Sequence, residues 1–217
     1  MWDWPFVVEI MPALFRGLQV TVKATLAGIS AAMALGLLLA IARRSEYRVI
    51  SWPVSTFIEF VRSTPLLVQL YFLFFVMPSF GLTLGAFTTG VLGLGIHYAA
   101  YTSEVYRSGI ESVPRGQWEA STALNLNPTQ TWTRVVLPQA VPVVIPALGN
   151  YLIAMFKDAP LLSAITVVEL LQEGKSICSR TFQCVEPYTM VGVMFLAVSV
   201  LASVLVRQLE VRLARRK

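Results

Sequence analysis

The side chains able to do chemistry in this sequence are few, and most stand in apolar surroundings. Gln69, His97 and Asn150 each fall inside an uncharged run, and Lys157-Asp158 closes another. Polar groups at membrane depth are costly and mark either a solute pathway or hydrogen bonds between helices. Gln69 and Asn150 fit either use, and Lys157-Asp158 fits either a pathway contact or an interfacial ion pair. His97 alone reads as a packing residue with its hydrogen bonds met. Glu104 and Arg107 lie three residues apart and share a helix face, so they are expected to form structural pairs, with Arg62 or the loop that follows as a further partner. Cys178 and Cys184 enclose a short loop. In an oxidising compartment they would form a disulfide; in a reducing one they would be two thiols. No cluster of Cys, His and Asp has catalytic or metal-ligand spacing, and no G-x-x-x-x-G-K-[ST] loop occurs. No enzyme activity, metal or cofactor is expected in this chain.

The elements around these residues follow from composition. Of 217 residues, 56% are hydrophobic and 13% charged, with a mean hydropathy of +0.67. Soluble domains carry about 25% charged residues, so the deficit predicts a membrane protein. The net charge of +5 fits Lys and Arg gathered in cytoplasmic loops better than a nucleic-acid partner. Residues 24–42 form a 19-residue uncharged run, enough to cross a bilayer. Arg43, Arg44 and Arg48 follow that run, where a signal peptide would have basic residues first. Residues 63–103 are uncharged for 41 positions, twice the length of one span, and turn at Pro78-Ser79-Phe80-Gly81. Later runs end the chain's apolar pattern at residue 206.

This gives an all-α membrane protein in a single domain, 1–217, with helices at about 20–42, 54–77, 86–108, 141–157 and 187–207. The expected orientation places the N-terminus outside and the C-terminus in the cytoplasm. Inner segments then hold eleven Lys/Arg (three at 43–53, three at 107–134, five at 207–217) against five outside, with Arg62 on an inner flank. Residues 161–187, with both cysteines, form an outer segment.

The longest polar stretch, 119–138 (EASTALNLNPTQTWTRVVLP), lies in the loop 109–140. Asn127-Pro128 ends one helix and starts another. Residues 129–136 are expected to be a second short helix, stopping at Leu137-Pro138. The result is a helix–turn–helix knuckle outside the lipid.

This knuckle resembles the cytoplasmic coupling loop of ABC importer permeases, E-A-A-x3-G-x9-I-x-L-P. Glu119 and Ala120 match, Ser121 replaces the second Ala, Asn125 stands at the Gly, Val135 at the Ile, and Leu137-Pro138 match. Asn is tolerated for Gly because both enter the left-handed conformation. Flanking pieces are similar to polar amino acid permeases: RSTPLLVQL at 62–70, residues 101–110 with 114–117, Leu148-Gly149-Asn150, and KDAPL at 157–161. Together they cover about residues 17–210 in order.

The resemblance implies a type I ABC importer permease-like fold with a cytoplasmic coupling helix. It also implies residence in a bacterial inner membrane as a multi-pass protein. ATP and Mg would be held by a separate pair of ATP-binding subunits that receive the knuckle. Glu119 would start the coupling helix, facing its dipole or a basic residue of that subunit. Further partners are a second permease, identical or homologous, an extracytoplasmic solute-binding protein and the lipid bilayer. The solute would be a polar amino acid; residues 176–187 are similar to members assigned to ectoine-type solutes. The alternatives are an ATP-independent secondary transporter or channel subunit, which needs no such knuckle, and a membrane-embedded enzyme, which needs convergent acid, base or metal ligands.

Overall fold

The computed structural model describes residues 2–214, so Arg215, Arg216 and Lys217 of the basic tail lie outside the described residues. No strand occurs among the described residues.

The first helix, α1 (Trp4–Arg43), opens on an Asp3 cap whose carboxylate accepts the Phe6 N–H at 3.2 Å. It runs 40 residues, about 60 Å at 1.5 Å per residue. The sequence placed this helix at 20–42. Arg16 and Lys23 ended the uncharged run without ending the helix, because both are exposed and leave the packed face clear. That face carries Leu14, Gly17, Thr21, Gly28, Ala32 and Gly36, at the three- and four-residue spacing of one helix side.

A second correction concerns 54–77, which is not one helix. Helices α2 (Arg48–Arg62) and α3 (Leu66–Phe80) meet at 106°. Pro65 disfavours helical geometry at the residue before it, and its own ψ is 138°. Past Tyr71, α3 loosens into a π turn at Phe72–Val76 and tightens into a 3-10 turn at Met77–Phe80. Gly81, at φ 83°, then reverses the chain where a side chain would be strained.

Helix α4 (Ala86–Glu111) makes the most extensive pairing in the molecule, against α1. Small residues let the two backbones approach. A Cβ on Gly36 would sit 2.9 Å from the Ala99 carbonyl oxygen and 3.1 Å from the Ser103 nitrogen. Beside it the Thr102 hydroxyl donates to the Ala32 carbonyl at 2.9 Å. Ala24, Leu70, Leu94, Met155, Leu162 and Ile165 fill the core between α1, α3, α4 and the following long helix.

After the short helix α5 (Arg115–Ala123), α6 runs over Pro128–Ile165. Here too the structure departs from expectation, since residues 129–136 do not stop at Leu137-Pro138. The helix widens into a π turn at Thr131–Val136 and continues through Pro138, Pro142 and Pro146. A proline ring displaces the carbonyl four residues earlier, and the wider turn makes room for it.

Helix α7 (Leu170–Thr181) docks on the amino-terminal half of α1, where a Cβ on Gly17 would lie 2.9 Å from the Leu170 Cα. Buried Glu169 caps it, accepting the Leu171 and Gln172 N–H groups at 2.9 and 2.7 Å. Burial nevertheless pushes its carboxyl up to about 7. Cys178 and Cys184 are joined in a disulfide just before the last helix, α8 (Val185–Ala214). The Asp3 N–H donates to Glu186 at 3.1 Å, tying the start of α8 to the start of α1.

By length and composition α1, α6 and α8 can cross a membrane, and the bent α2–α3 pair makes a fourth candidate. Helix α4, also counted as a span from the sequence, is less apolar because its buried face is built of Gly, Thr, Ser, His and Tyr.

Candidate functional site

Two polar sites are built on this frame, and the first is the knuckle. Helix α5 ends at Ala123 with Leu124 as its cap, and Asn125 takes φ 54°. Its N–H reaches the Thr122 carbonyl at 2.9 Å, and the Leu126 N–H reaches Ser121 at 3.0 Å. These bonds close the helix end in the left-handed turn that Gly or Asn favours. Asn127 then caps α6 in a reciprocal pair with Gln130: the Gln130 N–H donates to the Asn127 side-chain oxygen Oδ1 at 2.9 Å, and the Asn127 N–H to the Gln130 side chain at 3.1 Å.

Burial fixes which face of the knuckle is presented. Trp118 and Trp132 meet edge to face at 5.6 Å over Val113, Val136 and Ala140. The Arg44 guanidinium lies 5.7 Å above the Trp132 ring, joining the knuckle to the end of α1. Ser121, which stands where the family has Ala, is buried and donates to the Trp118 carbonyl at 2.7 Å. Glu119, Ala120, Ala123 and Leu124 are exposed on the other side, as are Leu137 and Pro138 at its far end. Helix α5 starts at Arg115, so Glu119 sits in its second turn. The macrodipole fades within the first turn, so a dipole role for Glu119 does not hold. The carboxylate is left facing outward.

Between the knuckle and the helices lies a charge cluster. Glu104 accepts from Arg43 and, at 2.7 Å, from Arg107, with Arg62 at 3.8 Å. Arg107 also reaches Glu111 at 2.6 Å. Sequence spacing identified Arg62, Glu104 and Arg107 but not Arg43, because its contact comes from α1 sixty-one residues away. The cluster ties the ends of α1, α2 and α4 together and makes no contact with the knuckle among the described ion pairs.

The second site is a polar, aromatic face on α3, α4 and α6. The Gln69 amide donates to the Val61 carbonyl at 2.8 Å and the Thr64 hydroxyl at 2.7 Å, bridging the bend between α2 and α3. Its carbonyl oxygen lies 3.1 Å from His97 Nδ1. The Tyr98 hydroxyl donates to Asp158 at 2.7 Å. Tyr101 and Tyr151, both half-buried, stack at 5.8 Å, and Arg62 lies 5.6 Å above the Tyr101 ring. Of the residues singled out from the sequence, Gln69 and Asp158 join this face. Asn150 and Lys157 are exposed and make none of these contacts. Asp158 pairs with Tyr98, and no ion pair joins it to Lys157 among the described residues. The tyrosines escaped sequence reasoning because aromatic residues in apolar runs read as core. Their signal was Tyr98 and Tyr101 three apart on one helix face. No group of His, Cys, Asp and Glu could hold a metal among the described residues.

The fold and these two sites define a helical membrane protein with a solvent-exposed lever at one end and a polar-aromatic face among its helices. The family described as the binding-protein-dependent transport system inner membrane component matches residues 32–215. This chain belongs to that family and is a multi-pass inner-membrane protein. It is 47% identical over 211 residues to a probable amino-acid ABC transporter permease protein of Sinorhizobium fredii, covering 97% of this chain and 91% of the relative. Identity is 32% over 213 residues to the glutamine transport system permease protein of Escherichia coli, covering 97% of each. A solved structure described as an amino acid ABC transporter with histidines aligns with a TM-score of 0.93 at 33% identity, over 98% of this chain and 99% of that one. The inward-facing methionine transporter MetNI shares the fold, with a TM-score of 0.76 at 21% identity over 98% and 99%.

Proposed function

We infer that this chain is the permease subunit of an ABC importer that moves a polar amino acid or a related compatible solute into the cell. The observation that carries the reading is the knuckle: a rigid, tryptophan-backed helix–turn–helix whose outward face is Glu119, Ala120 and Ala123. Such a lever has no internal use, and it keeps the spacing of the coupling pattern, with Glu119, Ala120, Leu137 and Pro138 matching and Ser121, Asn125 and Val135 as replacements. ATP and Mg belong to a separate ATP-binding subunit, seated against that face. The relatives' names, amino-acid and glutamine permeases, support the solute class.

The pathway runs along the Tyr98–Asp158 and Tyr101–Tyr151 face. Asp158 offers a carboxylate to a solute ammonium, and Arg62 offers a guanidinium to a carboxylate. Asp158, Tyr101 and Tyr151 remain half-buried, so this face is open along one side. A second permease subunit, identical or homologous, would close it around a two-fold axis. Movement of the knuckles on ATP binding would then rock the helices between inward- and outward-open states. The N-terminus and the disulfide loop stand outside, and the tail lies in the cytoplasm. A solute-binding protein delivers the cargo from the outer side.

The test is ATP hydrolysis by the purified complex, with the binding protein offered a panel of polar amino acids and ectoine. Stimulation by one solute is the expected result and names the cargo. An ATP-binding subunit that fails to co-purify with this chain would remove the coupling assignment.

A further inference from the structure

The disulfide loop does nothing in the coupling scheme, yet its backbone is held by several hydrogen bonds and a covalent bridge. Phe182 sits at its tip. It is 90% exposed, and its φ of 58° is a left-handed conformation that a side chain with a Cβ enters at a cost. The surrounding bonds hold it there. The Phe182 N–H donates to the Cys178 carbonyl at 2.9 Å. The Thr181 hydroxyl donates to the Ile177 carbonyl at 2.9 Å and accepts the Gln183 N–H at 3.2 Å. The Cys178–Cys184 bond closes the ring around it. The left-handed residue closes the end of α7, and with the disulfide it leaves the Phe182 ring turned out to solvent.

What it presents is one aromatic ring bordered mainly by polar side chains, with exposed Val185 just past the disulfide. Ser179, Arg180, Thr181 and Gln183 are all exposed around Phe182. An aromatic anchor within a hydrophilic border is the make-up of a protein-binding hot spot. A lipid-facing surface is different, as the unbroken Val193, Leu196, Val200 and Leu201 face of α8 illustrates. Location narrows the partner. Ile177 packs with Ile10 and Leu14 at the start of α1, whereas Arg44 meets the knuckle at its other end. These ends are separated by most of a 40-residue helix, about 60 Å in all. The loop therefore lies at the opposite pole from the knuckle. Its disulfide belongs to an oxidising compartment.

We propose that Phe182, held out by the Cys178–Cys184 loop, is a docking knob for the extracytoplasmic solute-binding protein. It inserts into an apolar recess of that partner while Arg180 and Gln183 meet its polar border. The proposal rests on the importer reading given above.

The test uses the whole complex in lipid nanodiscs. ATP hydrolysis is measured while the cognate binding protein, loaded with its solute, is titrated in. The variants are Phe182→Gly, which relieves the left-handed backbone but removes the ring, and Phe182→Tyr, which keeps the ring. Phe182→Gly is expected to raise the half-saturating concentration of binding protein about tenfold or more, as loss of a hot spot does. The rate at saturation should hold within about twofold, since docking and chemistry separate in this way. Phe182→Tyr should behave as the wild type. A Gly variant with wild-type titration would mean that the ring binds nothing and would overturn the proposal. A rate lowered equally at every concentration of binding protein, including none, would assign the ring to lipid or to folding instead. A wild-type complex that no loaded binding protein stimulates would remove the importer reading itself, a result distinct from either.

Discussion

Glu119→Lys is expected to leave the chain folded and to abolish solute-stimulated ATP hydrolysis by the assembled complex. Glu119 is exposed in the second turn of α5 and its side chain makes no hydrogen bond or ion pair among the described residues, so the fold does not depend on it. Its neighbours Trp118 and Ser121 hold the helix from the other side. A lone outward carboxylate on a rigid lever serves a partner. Reversing its sign removes a charge pairing and adds a repulsion, at a cost of about 3 kcal/mol or more across an interface. That corresponds to roughly 100-fold weaker engagement. Pull-down of the ATP-binding subunit and the stimulated rate should fall together, while helical content and melting temperature stay as in the wild type. A melting temperature that falls with them would mean that Glu119 supports the fold, contrary to its exposure.

Gly36→Val is expected to act in the opposite manner, damaging the fold and through it everything else. The Cβ of residue 36 would meet the Thr102 hydroxyl and two backbone atoms of α4, the Ala99 oxygen and the Ser103 nitrogen at 2.9 and 3.1 Å. Backbone inside a helix cannot swing aside as a flexible side chain can. The helices must separate, which breaks the Thr102–Ala32 hydrogen bond and opens the packing near Leu94 and Met155. Overpacking costs about 1–3 kcal/mol and the lost bond about 1 more. For a chain of this size that is a fall of roughly 5–15 °C in melting temperature. Thermal unfolding in detergent reads it directly. The Gly85→Val substitution is the control, because a Cβ there meets nothing within 4 Å.

Much of this architecture was legible in the amino-acid sequence, for identifiable reasons. Uncharged runs locate apolar helices because charge is so costly in hydrocarbon, and α4, α6 and α8 each contain one, although α6 starts at Pro128, well ahead of the expected 141, and runs past 157 to Ile165. They misplaced the start of α1 because Arg16 and Lys23 sit on its exposed side. The 106° bend was missed although the uncharged run begins at Ser63, beside it, because the expected helix was carried back through Glu59 and Arg62 to residue 54. Here the proline was the better signal. At the knuckle, Asn125 and Asn127-Pro128 announced their turn and cap through backbone chemistry alone, which is local. The break expected at Pro138 failed because a π turn absorbed it. Contacts between distant segments were out of reach: Arg43 with Glu104, Arg44 with Trp132, and Tyr98 with Asp158 are each set by packing between helices. The cysteines were different, since a six-residue separation leaves few ways for the loop to close.

The most direct measurement is uptake of a labelled solute into proteoliposomes containing this chain, its permease partner and the ATP-binding subunits, with the loaded binding protein outside and ATP sealed within. The account predicts accumulation against the gradient that requires ATP and stops with Glu119→Lys. Equal uptake without ATP, running only downhill, would contradict it and favour a channel or secondary transporter.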